Sequence, residues 1–249
     1  MKIQKNNFSN QSANYAKYRP SYPPELFTFL FSLVKDKQAA WDCGTGNGQV
    51  AMELSKVFDK VYATDISKQQ LNNAMQRDNI FYSNASAERT LFADNSFTLI
   101  TVAQAIHWFN FDDFYKEANR TLKAGGILAV IGYGLMRIDE HTDAMIDHFY
   151  KQVIGSYWDT ERKYIDEDYK TIPFPFNEMN APVLKNTVEW TLQELAGYLE
   201  TWSAVQHYIK AKNENPVDLI KSGFEKIWPV GATKKVQFPI LLRVAKIEK

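Results

Sequence analysis

Cysteine is nearly absent. Cys43 stands alone among 249 residues, so no internal disulfide forms and no cysteine cluster offers a zinc site. Histidine is scarce too, at four residues. His141 and His148 lie seven apart, two helical turns along one face with no ligand at helical spacing between them, and read as surface residues; no metal is expected. No stretch approaches the roughly 18 unbroken apolar residues that a membrane span needs. The residues from Met1 to Asn10 hold no apolar run of signal-peptide length, so the expectation is a soluble cytoplasmic protein with no membrane partner. An excess of charge is also missing: Lys+Arg and Asp+Glu both number 29, for a formal net charge of zero. Neutralising many phosphates needs many cations, so no nucleic-acid partner is expected. Nothing in the sequence bears on oligomeric state.

What is present is an ordinary globular composition, 45% hydrophobic and 23% charged, with a generous 14% of aromatics. Most of these aromatics are expected to pack the core. The length predicts one α/β domain over 1–249 with a small elaboration. Helical spacing follows Pro23 and Pro24 over 22–34, and 39–41 reads as a strand running into a glycine turn. Helices are expected over 50–58, over 67–77 with Ser67 as N-cap, and over 111–122. Strands are expected over 60–64, 80–82, 96–103 and, after Gly125 and Gly126, 127–131. Strands alternating with helices at this spacing predict a parallel sheet with right-handed crossovers. Beyond Gly134 the rhythm changes to a helix over 142–154 and an irregular segment over 155–182. That segment carries Tyr157, Trp158, Tyr164, Tyr169, Phe174 and Phe176, as a lid or binding loop would. An amphipathic helix marked by Leu192, Leu195, Leu199, Trp202 and Val205, a shorter one over 217–227, and a closing antiparallel strand over 235–247 complete the pattern.

The chemistry is concentrated in Gly44-Thr45-Gly46-Asn47-Gly48. A glycine turn between a strand and a helix lets backbone approach a ligand and offers free amide hydrogens. Asp65 lies 21 residues beyond Gly44 at the end of the next strand, where a carboxylate accepts the hydroxyls of a ribose. Together they specify a nucleoside-bearing ligand. The dinucleotide fingerprint Gly-x-Gly-x-x-Gly places its third glycine where this chain has Gln49, and no Gly-Lys-Ser/Thr phosphate loop is present.

With Asp42 before it, this turn resembles the first motif of class I S-adenosylmethionine-dependent methyltransferases. Ser86-Ala87-Glu88 resembles the family's adenine-side segment, with Ser86 where many relatives carry Asp, and the run from Arg120 to Gly126 resembles its turn into the fifth strand. Gln104-Ala105-Ile106-His107-Trp108-Phe109 and the stretch from Tyr15 through Tyr18 and Arg19 to Pro23 are similar to the trans-aconitate methyltransferase-like group of methyltransferase type 11. The resemblance implies a doubly wound, mostly parallel seven-stranded sheet with a Rossmann-like core over about 36–135 plus 184–249. An N-terminal lid would span 1–35 and an aromatic insertion about 155–183. It implies S-adenosyl-L-methionine as cofactor, held by Tyr15, Tyr18, Arg19, Asp42, Gly44, Thr45, Gly46, Asp65, Ile66, Ser86, Ala87, Glu88 and Gln104, and a small-molecule acceptor methylated on an oxygen, such as a carboxylate.

In an open parallel sheet the ligand sits at the switch point between the first and fourth strands. His107, at the end of the fourth, is the candidate general base and a candidate pocket residue. Trp108, Tyr133 and Trp202 are further substrate-side candidates, each with core packing as its alternative. A carboxylate acceptor, already ionised at neutral pH, needs no base. Three other readings stay open: a nucleic-acid methyltransferase, although no Asn/Asp-Pro-Pro-aromatic motif follows the fourth strand; a cofactor-binding module without catalysis; and a nicotinamide dehydrogenase.

Overall fold

The computed structural model describes residues 18–229 and 231–249. Tyr15 and the rest of 1–17 lie outside the described residues, so the expected lid is visible only from Tyr18 onward.

Helix α1 (Pro24–Ser32) starts with proline in its first turn and buries Leu26, Phe27 and Leu30. Then come β1 (Ala39–Cys43), α2 (Gln49–Leu54), β2 (Lys60–Asp65), α3 (Lys68–Asn72), β3 (Ile80–Asn84), β4 (Phe97–Ala103), α4 (Phe111–Thr121) and β5 (Leu122–Tyr133). Strands β1 to β5 pair with one another in parallel, in the order β3-β2-β1-β4-β5. The chain thus reverses direction of growth between β1 and β4, at the expected switch point. All but the last residue of β4 are buried, which accounts for its unbroken apolar character. Side chains alternate across the sheet, so neighbouring residues serve different cores. Ile100, Val102 and Val130 pack with Trp41 and Phe114 on one face, while Leu99, Ala129 and Ile131 pack with Leu30, Leu54 and Phe58 on the other.

The C-terminal third contributes α5 (Glu140–His148), α6 (Lys163–Asp166), β6 (Glu178–Met179), β7 (Lys185–Thr191), α7 (Leu192–Glu200), α8 (Ser203–Lys212), α9 (Asp218–Ile227) and β8 (Thr233–Lys246). Strand β8 runs antiparallel to β5, β6 and β7, giving eight strands where seven were expected. Neither β6 nor β7 has its own range in the sequence reading; β7 alternates buried Asn186 and Trp190 with more exposed neighbours, a period-two signal obscured by its polar residues. A third core gathers between these elements, around Phe149, Tyr198, Trp202, Trp228 and Phe238.

Several expected boundaries move. Helix α3 stops at Asn72 rather than near Arg77, because the Met75 amide donates to the Asn47 carbonyl at 3.1 Å and the Tyr82 hydroxyl donates to the Met75 carbonyl at 2.6 Å. Those groups serve the glycine turn instead of a helical ladder. Strand β5 begins at Leu122, before Gly125 and Gly126, and a register irregularity against β4 accommodates the glycines. The expected single helix over 192–205 is two, broken at Thr201 and Trp202. There the Glu200 carbonyl accepts from Gln206 Nε2 at 2.7 Å and the Thr201 carbonyl from Arg19 at 3.1 Å. Lastly, the segment 155–182 is built from short helical turns at Gly155–Tyr157 and Thr160–Arg162, then α6 and β6.

Candidate functional site

At the switch point the chain leaves β1 through the glycine turn. Two of its glycines are required for opposite reasons. Gly48 has φ +84°, and a Cβ there would stand 2.2 Å from the Tyr82 hydroxyl, so the position tolerates no side chain. Gly46 has φ +56°, and a Cβ there would meet nothing within 4 Å among the described residues. Its bare face opens into a cleft of about 1160 Å³, counted to its open mouth.

Asp42 organises this turn. Its carboxylate is buried and accepts from Thr45 Oγ1 at 2.5 Å, the Ala51 amide at 3.1 Å and Thr101 Oγ1 at 2.8 Å, joining turn, α2 and β4. Burial pushes its pKa up to about 6 against these hydrogen bonds. Asp42 borders the cleft, and its three donors make it a brace for the shape of the turn. Asp65, at the end of β2, accepts the Gly46 amide on Oδ2 and the Ser67 amide on Oδ1, both at 2.8 Å. Burial raises its pKa while these bonds and Ile66 oppose the rise. Each of its oxygens keeps acceptor capacity for a ligand.

Arg19, Gly44, Thr45, Ile66, Ala87, Gln104, Trp108 and Tyr133 also wall the cleft, together with Asn47, Tyr22 and Phe109, which sequence reasoning did not select. Ser86 and Glu88 turn to each other instead: Ser86 Oγ donates to Glu88 at 2.7 Å, and Glu88 accepts the Asn110 amide at 3.0 Å, at the start of α4. Of that expected trio only Ala87 reaches the cleft. Tyr18 lines a neighbouring groove beside Trp190 and packs against Gly197, where a Cβ would come within 2.6 Å of its ring.

The wall at the end of β4 is a relay. Gln104 holds a left-handed backbone at φ +51°, uncommon for a residue with a side chain. Its Nε2 donates to the Tyr133 carbonyl at 3.0 Å, and its Oε1 accepts from the Tyr169 hydroxyl at 3.4 Å. The same Tyr169 hydroxyl lies 3.3 Å from His107 Nδ1, within hydrogen-bond distance of the ring. Burial, with Arg162 and Arg19 nearby, pushes the His107 pKa down to about 3. An imidazole held this far below its usual range is poorly suited to take up a proton at neutral pH, which weighs against the expected general-base role.

His107 faces a second cavity, which shares Arg19, Gln104 and Trp108 with the cleft. Its far wall is Trp158, Asp159 and Arg162 from the insertion, with Trp202 from the break between α7 and α8. Trp202 is 1% exposed, and its Nε1–H has no hydrogen-bond partner among the described residues, a state that costs about 1–3 kcal/mol in a buried donor. Arg162 carried no signal in the sequence; only the folding of 155–182 over β4 brings it here. Other aromatics of that segment serve packing: Tyr164 meets Phe111, and Phe174 and Phe176 meet Tyr115. Tyr208 packs on Tyr157. No cluster of metal-binding side chains occurs among the described residues, and none of their helices is long and apolar enough to cross a membrane.

Comparison with known proteins agrees with this architecture. Residues 41–130 match the methyltransferase domain family. A Dictyostelium discoideum protein named as a methyltransferase is 35% identical over 249 residues, 97% of this chain and 95% of that one. A solved structure from Anaeromyxobacter dehalogenans, named as a type II methyltransferase, is 34% identical with a TM-score of 0.86, covering 93% of this chain and 99% of that one. A Saccharomyces cerevisiae protein named for S-adenosylmethionine-dependent methyl transfer is 26% identical over 171 residues, 65% of this chain and 58% of that one. The chain belongs to the class I methyltransferase family, whose members use S-adenosylmethionine.

Proposed function

We propose that this protein transfers a methyl group from S-adenosylmethionine to an oxygen, foremost a carboxylate oxygen, of a small-molecule acceptor. The observation that carries the reading is the pair of adjoining cavities that share Arg19, Gln104 and Trp108. One suits a nucleoside with an amino-acid tail and the other a compact second substrate. The cleft fits the cofactor: Gly46 leaves open space at the turn, Asp65 keeps lone pairs for ribose hydroxyls, and the half-exposed Ile66 offers an apolar surface beside them. When bound, S-adenosylmethionine supplies an electrophilic methyl group on a sulfonium, and the chain's own task is to hold the nucleophile in line with it.

The oxygen assignment follows from His107. A nucleophile that must lose a proton needs a base, and this imidazole, with its pKa near 3, is poorly suited to act as one. A carboxylate is ionised already at neutral pH. Trp108, at the boundary of the two cavities, offers an aromatic face to positive charge.

Calorimetry with S-adenosylmethionine and S-adenosylhomocysteine, followed by turnover assays against small acids, tests the reading. Binding with turnover on an acid supports it. Binding without turnover on any acceptor favours an inert cofactor module, and tight NAD binding with no S-adenosylmethionine binding favours a dehydrogenase.

A further inference from the structure

We infer that Arg162 and the indole N–H of Trp202 form a seat for a carboxylate group of the acceptor, so that the insertion selects acidic substrates. The inference rests on the reading of the second cavity as the acceptor site.

The two side chains come from separate parts of the chain and meet at one cavity. Arg162 is held from behind. Its Nε donates to the Tyr150 hydroxyl at 2.7 Å and, at a longer 3.3 Å, to Asp166, while its guanidinium carbon lies 4.6 Å from the centre of the Trp158 ring and 5.3 Å from that of Tyr150. These contacts orient the group and use only Nε. The two terminal amino groups make no hydrogen bond among the described residues, and the side chain is only 16% exposed, so solvent supplies little in return. A guanidinium fixed by one edge, with its other edge uncommitted, is the arrangement that accepts a carboxylate in a forked pair of bonds. Trp202 adds a buried donor with no partner and no ability to accept, which a carboxylate oxygen satisfies and an ammonium group does not.

The charge inventory of the cavity agrees. Among the described residues Arg19 and Arg162 line it against one carboxylate, Asp159, which lies 3.9 Å from His207, and burial holds His107 toward its neutral form. The lining is net positive by one charge. Arg19 is committed to the Tyr133 hydroxyl at 3.0 Å and to the Thr201 carbonyl, so Arg162 is the cation placed to meet a ligand. Three tryptophans, Trp108, Trp158 and Trp202, supply apolar walls that strengthen such a pair by excluding water.

The test is isothermal titration of acetate, succinate and phenylacetate, and of the matching neutral amides, into the protein with and without saturating S-adenosylhomocysteine, for the natural chain and for Arg162→Gln, Arg162→Lys and Trp202→Phe. At least one carboxylate is expected to bind more than tenfold tighter than its amide. Arg162→Gln should weaken that carboxylate by about 10- to 100-fold, Arg162→Lys should restore part of the loss, and Trp202→Phe, which keeps an aromatic ring but removes the donor with the five-membered ring that carries it, should cost about 3- to 10-fold. S-adenosylhomocysteine affinity should stay within twofold in all three variants, which also reports that the cleft is folded. Equal binding of acid and amide, no carboxylate binding across the set, or an Arg162→Gln protein with unchanged carboxylate affinity overturns the inference. Failure of the natural chain to bind S-adenosylhomocysteine would instead overturn the methyltransferase reading, while acid-selective binding through Arg162 would still be measured in the cofactor-free titration.

Discussion

The Asp65 carboxylate accepts the backbone N–H of Gly46 at 2.8 Å, tying the end of β2 to the middle of the glycine turn across 19 residues of chain. One side chain thus shapes the turn and stands ready for a ligand. Asp65→Ala is expected to weaken S-adenosylmethionine binding by about 1.5 to 3 kcal/mol, the scale of hydrogen bonds to a charged group. Calorimetry checks this, and unchanged affinity would remove Asp65 from the ribose role.

Gly46 and Gly48 separate binding from folding. Gly48→Ala places a methyl group 2.2 Å from the Tyr82 hydroxyl on a left-handed backbone and should lower stability by about 2 to 4 kcal/mol. Gly46→Ala meets no atom of the described residues within 4 Å, so its expected stability cost is the backbone strain of about 1 kcal/mol, while cofactor affinity falls because the methyl group enters the cleft. Urea unfolding read beside ligand titration distinguishes the two; equal losses of stability would contradict this division.

For His107 the folded-state pKa, about 3, lies below the ordinary 6.5. The unfolded chain therefore takes up this proton first, so the stability contribution is complete above pH 6.5 and is lost as pH falls from 6.5 toward 3. Between pH 6.5 and 5 the loss amounts to about 2 kcal/mol at most. His107→Gln should flatten that stretch of the stability-versus-pH curve. It should also reduce turnover on a carboxylate less than tenfold, where loss of a general base costs about 10²- to 10⁴-fold. A larger drop, with an activity limb near pH 6.5 that the variant lacks, would restore the base role.

Asp139 caps α5. Burial raises its pKa, but Lys234 Nζ at 2.7 Å and the amide and hydroxyl of Thr142 outweigh that effect and hold it down at about 2. A depressed carboxylate stabilises the fold above its unfolded pKa of about 3.9 and ceases to do so as pH falls toward 2. The side chain is 42% exposed, so screening trims the contribution to about 1 kcal/mol. Asp139→Asn should make acid unfolding between pH 4 and 2 less steep. An identical acid transition in the variant would show that the cap carries no such charge effect.

Much of the core was legible because its signals are local. A glycine turn between strand and helix, an acid 21 residues on, and runs such as β4 are written in consecutive residues, and the physics they encode acts over a few ångströms of backbone. The elements that failed the reading are those whose hydrogen bonds go to distant partners. Residues 73–77 leave the helical pattern because Met75 serves Asn47 and Tyr82, and β7 is a strand because β8 stands beside it. Ser86 and Glu88 show the same limit: their types suit a ligand, but they bond to each other and to Asn110.

By itself the sequence determined the parallel core, the switch point and the glycine turn, since hydrophobic period and glycine placement act before the chain is folded. The protonation of His107, the break that sets Trp202 in the wall, and the arrival of Arg162 at the second cavity were decided only by tertiary structure. Burial and electrostatic surroundings are properties of neighbours brought together from across the chain, and no local pattern encodes them.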